Sequence, residues 1–183
     1  MSRTQPIHLG PGAQLSYPLT VTEAQAAPLS WEDYDPSNCS VAAAVSVLSD
    51  RWTWLILREA FQGTTRFEIF QQRLGISRDV LAARLKHLVT QGVLRLEPYR
   101  VPGSRTRQEY RLTRAGVELQ PALIALLNWA DSHLRDPEER ALVITHSDCG
   151  APVQAVLRCE EGHDVPPYAV DLRPGPGAQL RQP

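Results

Sequence analysis

The residues best suited to chemistry lie between Thr64 and Arg114, and their chemistry is ionic and hydrogen-bonded recognition. From Arg66 to Arg114 there are 11 Lys+Arg against four Asp+Glu residues, a balance of +7 in a chain whose formal net charge is -1. The rest of the chain therefore carries -8. Positive charge segregated in this way indicates a surface that binds phosphates.

Two short amphipathic patterns in this stretch predict a helix-turn-helix. Apolar residues gather on one side of residues 67–74, and Gly75 supplies a turn residue that tolerates positive φ. Ser77 then stands where it can cap a second helix. The leucines that share one face of this second helix are Leu81, Leu85 and Leu88.

The other face of the second helix is short-chained and polar, which is what a helix in the DNA major groove requires. Asp79 and Thr90 fall on or near this face. Side chains there can exchange hydrogen bonds with base edges. The candidate groove-contacting residues are Ser77, Arg78, Ala83, Lys86 and His87.

After Gly92 the apolar period changes from helical to alternating, which predicts a β-hairpin around a Pro-Gly turn at 101–104. Its arms and tip carry Arg95, Arg100, Arg105, Arg107 and Arg111. We interpret the hairpin as a wing that meets phosphates or the minor groove, with Arg105 and Arg107 as the candidate contacts. The alternative is a solvated hairpin with ordinary surface arginines.

Three further helices are expected around these elements. An Ala/Val-rich helix over 39–48 follows a cap signal at Asn38, and residues 52–61 are apolar nearly all round, which predicts a buried helix. Residues 114–134 predict a long helix capped by Thr113, which Pro121 is expected to kink or restart. Its broad apolar stripe predicts a dimer seam. Two-fold pairing would place two recognition helices about 34 Å apart on a palindromic operator.

The predicted fold class is therefore mainly α with a β-hairpin wing. Residues 1–36 are expected to be a Pro-rich N-terminal arm, and 37–135 a winged helix-turn-helix domain that includes the dimerisation helix. Residues 136–183 are expected to be a small β-rich extension, with alternating segments at 141–145, 153–158 and 168–172.

Several other classes of protein are disfavoured. Three cysteines, without a charged-then-apolar leader, do not predict a disulfide-built secreted scaffold, so we expect reducing cytosol. No apolar run approaches the roughly 20 residues that span a bilayer. The sequence lacks a Ser-His-Asp order, a phosphate-binding glycine loop and a CxxC pair, so we expect no enzyme and no cofactor.

The chain closely resembles the HxlR-type transcriptional regulators over about residues 39–134. The motifs that carry the resemblance are CSVAAA at 39–44, DRWTWLILRE at 50–59, Arg66-Phe67, Ile76-Ser77, Val80-Leu81, RLKHL at 84–88, Gly92-Val93-Leu94 and EYRLTRAG at 109–116. The resemblance implies a bacterial, homodimeric winged helix-turn-helix protein that binds double-stranded operator DNA as a repressor or activator. At Asp79 the sequence departs from the family, which more usually has a basic residue there.

The signal that would regulate such a protein is left open between two hypotheses. Family members often have a cysteine where Cys39 stands, and in some it senses thiol-reactive compounds. A thiol at the start of a helix feels the positive end of the helix dipole, which favours the reactive thiolate; otherwise Cys39 is a small buried residue. The second hypothesis is an apolar effector pocket beside Trp52 and Trp54, which are otherwise simple core residues.

The extension also contains weak candidates for metal ligands. Cys149, Cys159 and His163, with His146, offer four side chains of the kind that zinc prefers. Their spacing lacks the paired CxxC of a zinc ribbon, so a purely structural hairpin is the favoured interpretation.

Overall fold

The structure, a computed structural model, describes residues 33–100, 103 and 105–181. Its contacts divide the chain into two units. We call Cys39–Leu123 the winged unit. We call the described residues 33–38 and 124–181 the terminal unit. None of the helices in the described ranges has the length and apolar character needed to cross a lipid bilayer.

Helices and a single hairpin make up the regular structure, as the sequence predicted. The elements in chain order are α1 (Ser40–Leu48), α2 (Arg51–Phe61), α3 (Phe67–Leu74), α4 (Arg78–Thr90), β1 (Leu94–Tyr99), β2 (Arg107–Leu112), α5 (Arg114–Val117) and α6 (Gln120–His133).

The core of the winged unit is built around α2. Ile56 and Leu57 of this helix are fully buried, and α2 contacts α3, α4 and β2. Asp50 begins the helix, because its carboxylate accepts from the backbone N–H of Trp52 at 2.7 Å. The prediction of a buried central helix is confirmed.

The helix-turn-helix forms as predicted. Gly75 follows α3 with a φ of 59°, in the left-handed region, and its N–H donates to the carbonyl of Gln71 at 3.0 Å. Ser77 holds the N-cap position of α4, but its side chain makes no capping bond. The buried residues of α4 are Leu81, Leu85 and Leu88.

The predicted hairpin is confirmed by β1 and β2, which pair antiparallel with Leu94 opposite Leu112. Most of the predicted turn at 101–104 lies outside the described residues, and Gly103 has a φ of 80°.

The single long helix predicted over 114–134 is instead two helices. Thr113 caps α5, since its hydroxyl accepts from the N–H of Gly116 at 3.1 Å. The break has a physical cause at Pro121, which has no N–H to donate to the carbonyl of Val117 and whose ring would clash with it. The chain therefore ends α5 at Val117 and starts α6 at Gln120, the restart that Pro121 was expected to cause.

The terminal unit contains far less regular strand than its alternating sequence predicted. It has isolated bridges at Thr145–Pro152 and Arg158–Asp164, and a 3-10 helix at Pro167–Ala169. Between residues 141 and 181, Ile144, Val153 and Val165 are half-buried and all the other residues are exposed. Alternating apolar and polar residues stabilise a strand when its apolar face packs against a core. Residues 141–181 have no such packing, so the alternating sequence does not form regular strands.

The wing is attached to the segment that precedes α3. The N–H of Tyr110 donates to the carbonyl of Thr65 at 2.7 Å, and the Thr65 hydroxyl donates to Oε2 of Glu109 at 2.8 Å. Arg111 donates to the other carboxylate oxygen from Nε at 2.8 Å and from Nη2 at 2.6 Å. Only 7% of Glu109 is exposed, so these partners replace most of the water that its carboxylate loses.

The same contacts change the acidity of the buried carboxyl. The hydroxyl of Thr65, and then the guanidinium of Arg111, hold the pKa of Glu109 below its ordinary value. A lowered folded-state pKa contributes stability above the pKa of the unfolded carboxyl, and this contribution is lost as the pH falls through the folded value.

We predict that Thr65→Val raises the pKa of Glu109 and lowers the free energy of unfolding at pH 7 by about 1 to 3 kcal/mol, because a buried charged acceptor loses its donor. The deficit relative to wild type should shrink at acidic pH, as the pH falls below the ordinary pKa of a Glu carboxyl, about 4.3, and through the lowered folded value. NMR titration of Glu109 and urea unfolding at both pH values measure the two effects. Thr106→Val, at an exposed position, is the control. An equal deficit at both pH values would contradict this assignment.

Candidate nucleic-acid interface

The outward face of α4 is a strip of short and polar side chains. Asp79, Ala83, Lys86 and Thr90 lie opposite the buried leucines and are all exposed, and we call these four residues the outward strip. Ala82, also exposed, flanks it. The alanines project only methyl groups, so the helix backbone can come close to a partner surface.

The start of α4 places two more of the predicted residues in solvent. Ser77 and Arg78 are exposed. The guanidinium of Arg78 lies 5.1 Å from the centre of the Phe67 ring, which holds the side chain beside the first turn of α4.

His87 differs from the prediction, because its ring is directed toward α1. The residue is half-buried, and its Nε2 lies 3.3 Å from the carbonyl oxygen of Val47. A carbonyl can only accept, so the ring nitrogen donates. Helical periodicity places His87 near the edge of the outward strip, and a neighbouring helix determines which way such a residue turns.

Arg84 fixes α4 to α2 and was not identified as functional by the sequence. Its Nη2 lies 3.0 Å from Oδ2 of Asp50, whose other oxygen caps α2. The two residues stand in separate motifs, so no local spacing indicates the pair.

Glu59 makes a second connection that sequence reasoning missed. Its side chain, in a residue only 5% exposed, accepts from Arg58 at 2.8 Å and from Arg73 of α3 at 3.2 Å. Arg73 also donates to the hydroxyl of Thr64 at 3.0 Å. In sequence, Glu59 looks like an ordinary solvated charge, and only the packing of α3 on α2 makes it a buried link.

The wing is less cationic than its five arginines suggest. Arg111 lies 3.5 Å from Glu97 and 2.6 Å from Glu109, and Arg95 bonds to Glu97. These four residues form an ion-pair network on one face of the hairpin. Arg95 and Arg111 are therefore largely neutralised, which the count of arginines along the sequence did not indicate.

The two predicted wing contacts lie at the other end of the hairpin. Arg107 is exposed, and its Nη1 lies 3.9 Å from Oε1 of Glu68. Arg105, also exposed, precedes β2. Arg66 packs over the ring of Tyr99, 4.7 Å from its centre, at the same end of the hairpin.

Cys39 is exposed and holds the N-cap position of α1, one residue after the predicted cap at Asn38. Its side chain makes no capping bond. The alternative interpretation, in which Cys39 is a small buried residue, is therefore wrong for the described fold, because this fold leaves the thiol exposed.

The candidate metal ligands of the extension come together only in pairs. The Nδ1 of His146 lies 3.3 Å from the Sγ of Cys149, and the Nδ1 of His163 lies 3.6 Å from the Sγ of Cys159. In the part of the chain that the structure describes, no three such side chains are close enough to hold an ion.

A cleft of about 380 Å³ lies within the terminal unit, between α6 and residues 140–155. Asn128 and Arg140 are among its polar lining residues. Trp52 and Trp54 are instead half-buried against the core of the winged unit. The hypothesis of an effector pocket beside these two tryptophans stays a prediction.

Comparison with known proteins agrees with this geometry. The HxlR-like helix-turn-helix family model matches residues 47–138. The HTH-type transcriptional regulator Rv3095 of Mycobacterium tuberculosis is 40% identical over 143 residues, covering 78% of this chain and 89% of that protein.

Two solved structures of proteins described as transcription factors are also similar. PA1607 has a TM-score of 0.67 and 36% identity, covering 75% of this chain and 95% of its own. PA1374 of Pseudomonas aeruginosa has a TM-score of 0.56 and 28% identity, covering 77% of this chain and 95% of its own. The chain therefore belongs to the HxlR-like helix-turn-helix family of transcriptional regulators, which bind DNA and are not enzymes.

Proposed function

We propose that this protein regulates transcription in the bacterial cytoplasm as a homodimer bound to a palindromic operator. In the proposed complex α4 enters the major groove and the wing contacts the adjacent backbone. The resulting occupancy of a promoter would repress or activate transcription.

The observation that carries this proposal is the outward strip of α4. It is exposed and mainly polar along the length of a helix whose opposite face is fully buried. The outer face of such a helix does not pack into the core of its own unit. Its small and polar side chains instead suit major-groove recognition, which requires close approach and hydrogen-bonding groups.

Within this proposal the residues have separate roles. Lys86 and Ala83 face base edges, Lys86 as a donor to guanine acceptors and Ala83 as a methyl contact. Ser77 and Arg78 at the start of α4 contact the groove or its edge. His87 positions α4 through Val47, because its ring nitrogen is directed to that carbonyl.

The wing supplies affinity that depends little on sequence. Arg105 and Arg107 are the proposed phosphate contacts, since both are exposed and lie at the end of the hairpin where β2 begins. Each phosphate contact releases counterions, so its contribution falls as salt rises.

We predict that the double variant Arg105→Ala with Arg107→Ala weakens binding to all duplexes and reduces the slope of log affinity against log salt by about two. Fluorescence anisotropy from 50 to 300 mM salt, with specific and scrambled duplexes, measures both. Arg158→Ala with Arg173→Ala removes equal charge from exposed positions in the terminal unit and should leave the slope unchanged. A shift in sequence preference at unchanged affinity would contradict the assignment.

Dimerisation is proposed from apolar helix faces that the single chain leaves uncovered. In α6, Leu126 and Trp129 are each 49% exposed, and the helix has no buried residue. In α1, which also has no buried residue, Val41 is 71% exposed. Contiguous exposed apolar side chains favour association with a second copy, and the broad stripe of α6 is the proposed seam.

We predict that Leu126→Glu with Trp129→Glu raises the dimer dissociation constant at least about tenfold, because two apolar contacts become charges at the seam. Sedimentation velocity measures the change, and circular dichroism checks that the helices persist. Leu172→Glu, at a residue 75% exposed, is the control. Unchanged association in the α6 variant would exclude this face as the seam.

Regulation through Cys39 is proposed because the thiol is exposed at the start of α1, a helix that also carries uncovered apolar residues. An adduct there would alter the environment of α1. His87 connects α4 to Val47 near the end of the same helix, which offers a route to the DNA-facing surface.

We predict that benzoquinone changes operator affinity by about tenfold or more, a typical allosteric coupling. Cys149 and Cys159 are exposed as well, so the test uses Cys149→Ser with Cys159→Ser to leave Cys39 as the single thiol. Mass spectrometry confirms the adduct, and anisotropy measures DNA binding. Cys39→Ser should abolish the response. A complete adduct at Cys39 with unchanged affinity would remove the sensor role.

A further inference from the structure

The outward strip contains one acidic residue on a surface otherwise suited to a polyanion. Asp79 lies in the first turn of α4 and is exposed. Among the described residues its carboxylate has no hydrogen bond or ion pair, unlike Asp50, Glu97 and Glu109. The charge of Asp79 is therefore not used to hold the fold together through a side-chain partner.

An unpaired carboxylate in the groove is repelled by phosphates unless it meets a hydrogen-bond donor. A carboxylate only accepts, and the major groove offers two kinds of donor, the N4 amino group of cytosine and the N6 amino group of adenine. Adenine presents its N7 acceptor beside N6, which repels a second acceptor. Cytosine presents no acceptor of its own there, so a carboxylate discriminates in its favour.

The neighbours of Asp79 allow its short side chain to reach the bases. Ala83 lies one turn further along the outward strip and Ala82 flanks it, so neither holds α4 away from the groove. The first residues of a recognition helix are also those that approach base edges. Lys86, two turns away, is too distant to neutralise Asp79 within the strip.

We propose that Asp79 is a specificity-determining residue that reads a cytosine in each operator half-site by accepting a hydrogen bond from its N4 amino group. The inference rests on the proposed function, because it requires α4 to occupy the major groove. It assigns to Asp79 a role separate from that of the arginines, since it lowers affinity for incorrect sequences by repulsion.

The test compares wild type with Asp79→Asn by selection from randomised duplexes, followed by competition binding. Asparagine has nearly the same shape but both donates and accepts, a pattern that fits adenine N6 and N7. We expect cytosine preference at one position per half-site to fall about tenfold in Asp79→Asn, with adenine gaining. Affinity for scrambled duplex should rise, because a negative charge has been removed.

The matched control is Glu118→Gln, which removes one exposed negative charge from the winged unit outside α4. It should leave base preference at every position unchanged. If wild type selects a sequence but Asp79→Asn selects the same one, the inference fails and the proposed function stands. If wild type binds no duplex in preference to another at low salt, the proposed function fails and the inference fails with it.

Discussion

The orientation of α4 depends on the packing of its leucine face. Leu81, Leu85 and Leu88 are fully buried in the core that contains Ile56 and Leu57 of α2. The helical repeat of 3.6 residues per turn fixes the angle between the two faces of α4. When the leucine face is buried, the outward strip must therefore face the solvent. Polar contacts from Arg84 and His87 then restrict sliding and rotation of α4. The candidate recognition surface therefore follows from the core.

The charges of the winged unit are also arranged by specific contacts, because carboxylates pair with some of the hairpin arginines and not with others. Glu97 and Glu109 form ion pairs with Arg95 and Arg111 near the base of the hairpin. The hydroxyl of Thr65 donates to Glu109 and so connects the hairpin to the segment before α3. These ion pairs hold the wing in place and leave Arg107 near the tip only loosely paired. Arginines that look equivalent in sequence thus differ in the structure, since Arg95 and Arg111 are held in ion pairs and Arg107 is a proposed phosphate contact.

Periodicity predicted α2, α3, α4 and the hairpin well because each of these elements has buried residues on one face. The leucines of α4, the left-handed Gly75 and the alternation around the hairpin are all local signals. The direction of His87, the pairs of Arg84 and Arg111, and the burial of Glu59 depend on residues distant in sequence, so local patterns could not predict them. In residues 141–181, alternation without burial did not produce strands.

The most direct measurement is a backbone amide NMR titration of the full chain with a duplex obtained by selection. The account predicts that the largest chemical-shift changes fall on the outward strip, on the first turn of α4 and on the end of the wing that includes Arg105 and Arg107. Buried α2 amides around Ile56 should change little. Binding whose shift changes leave α4 and the wing unaffected would contradict the account.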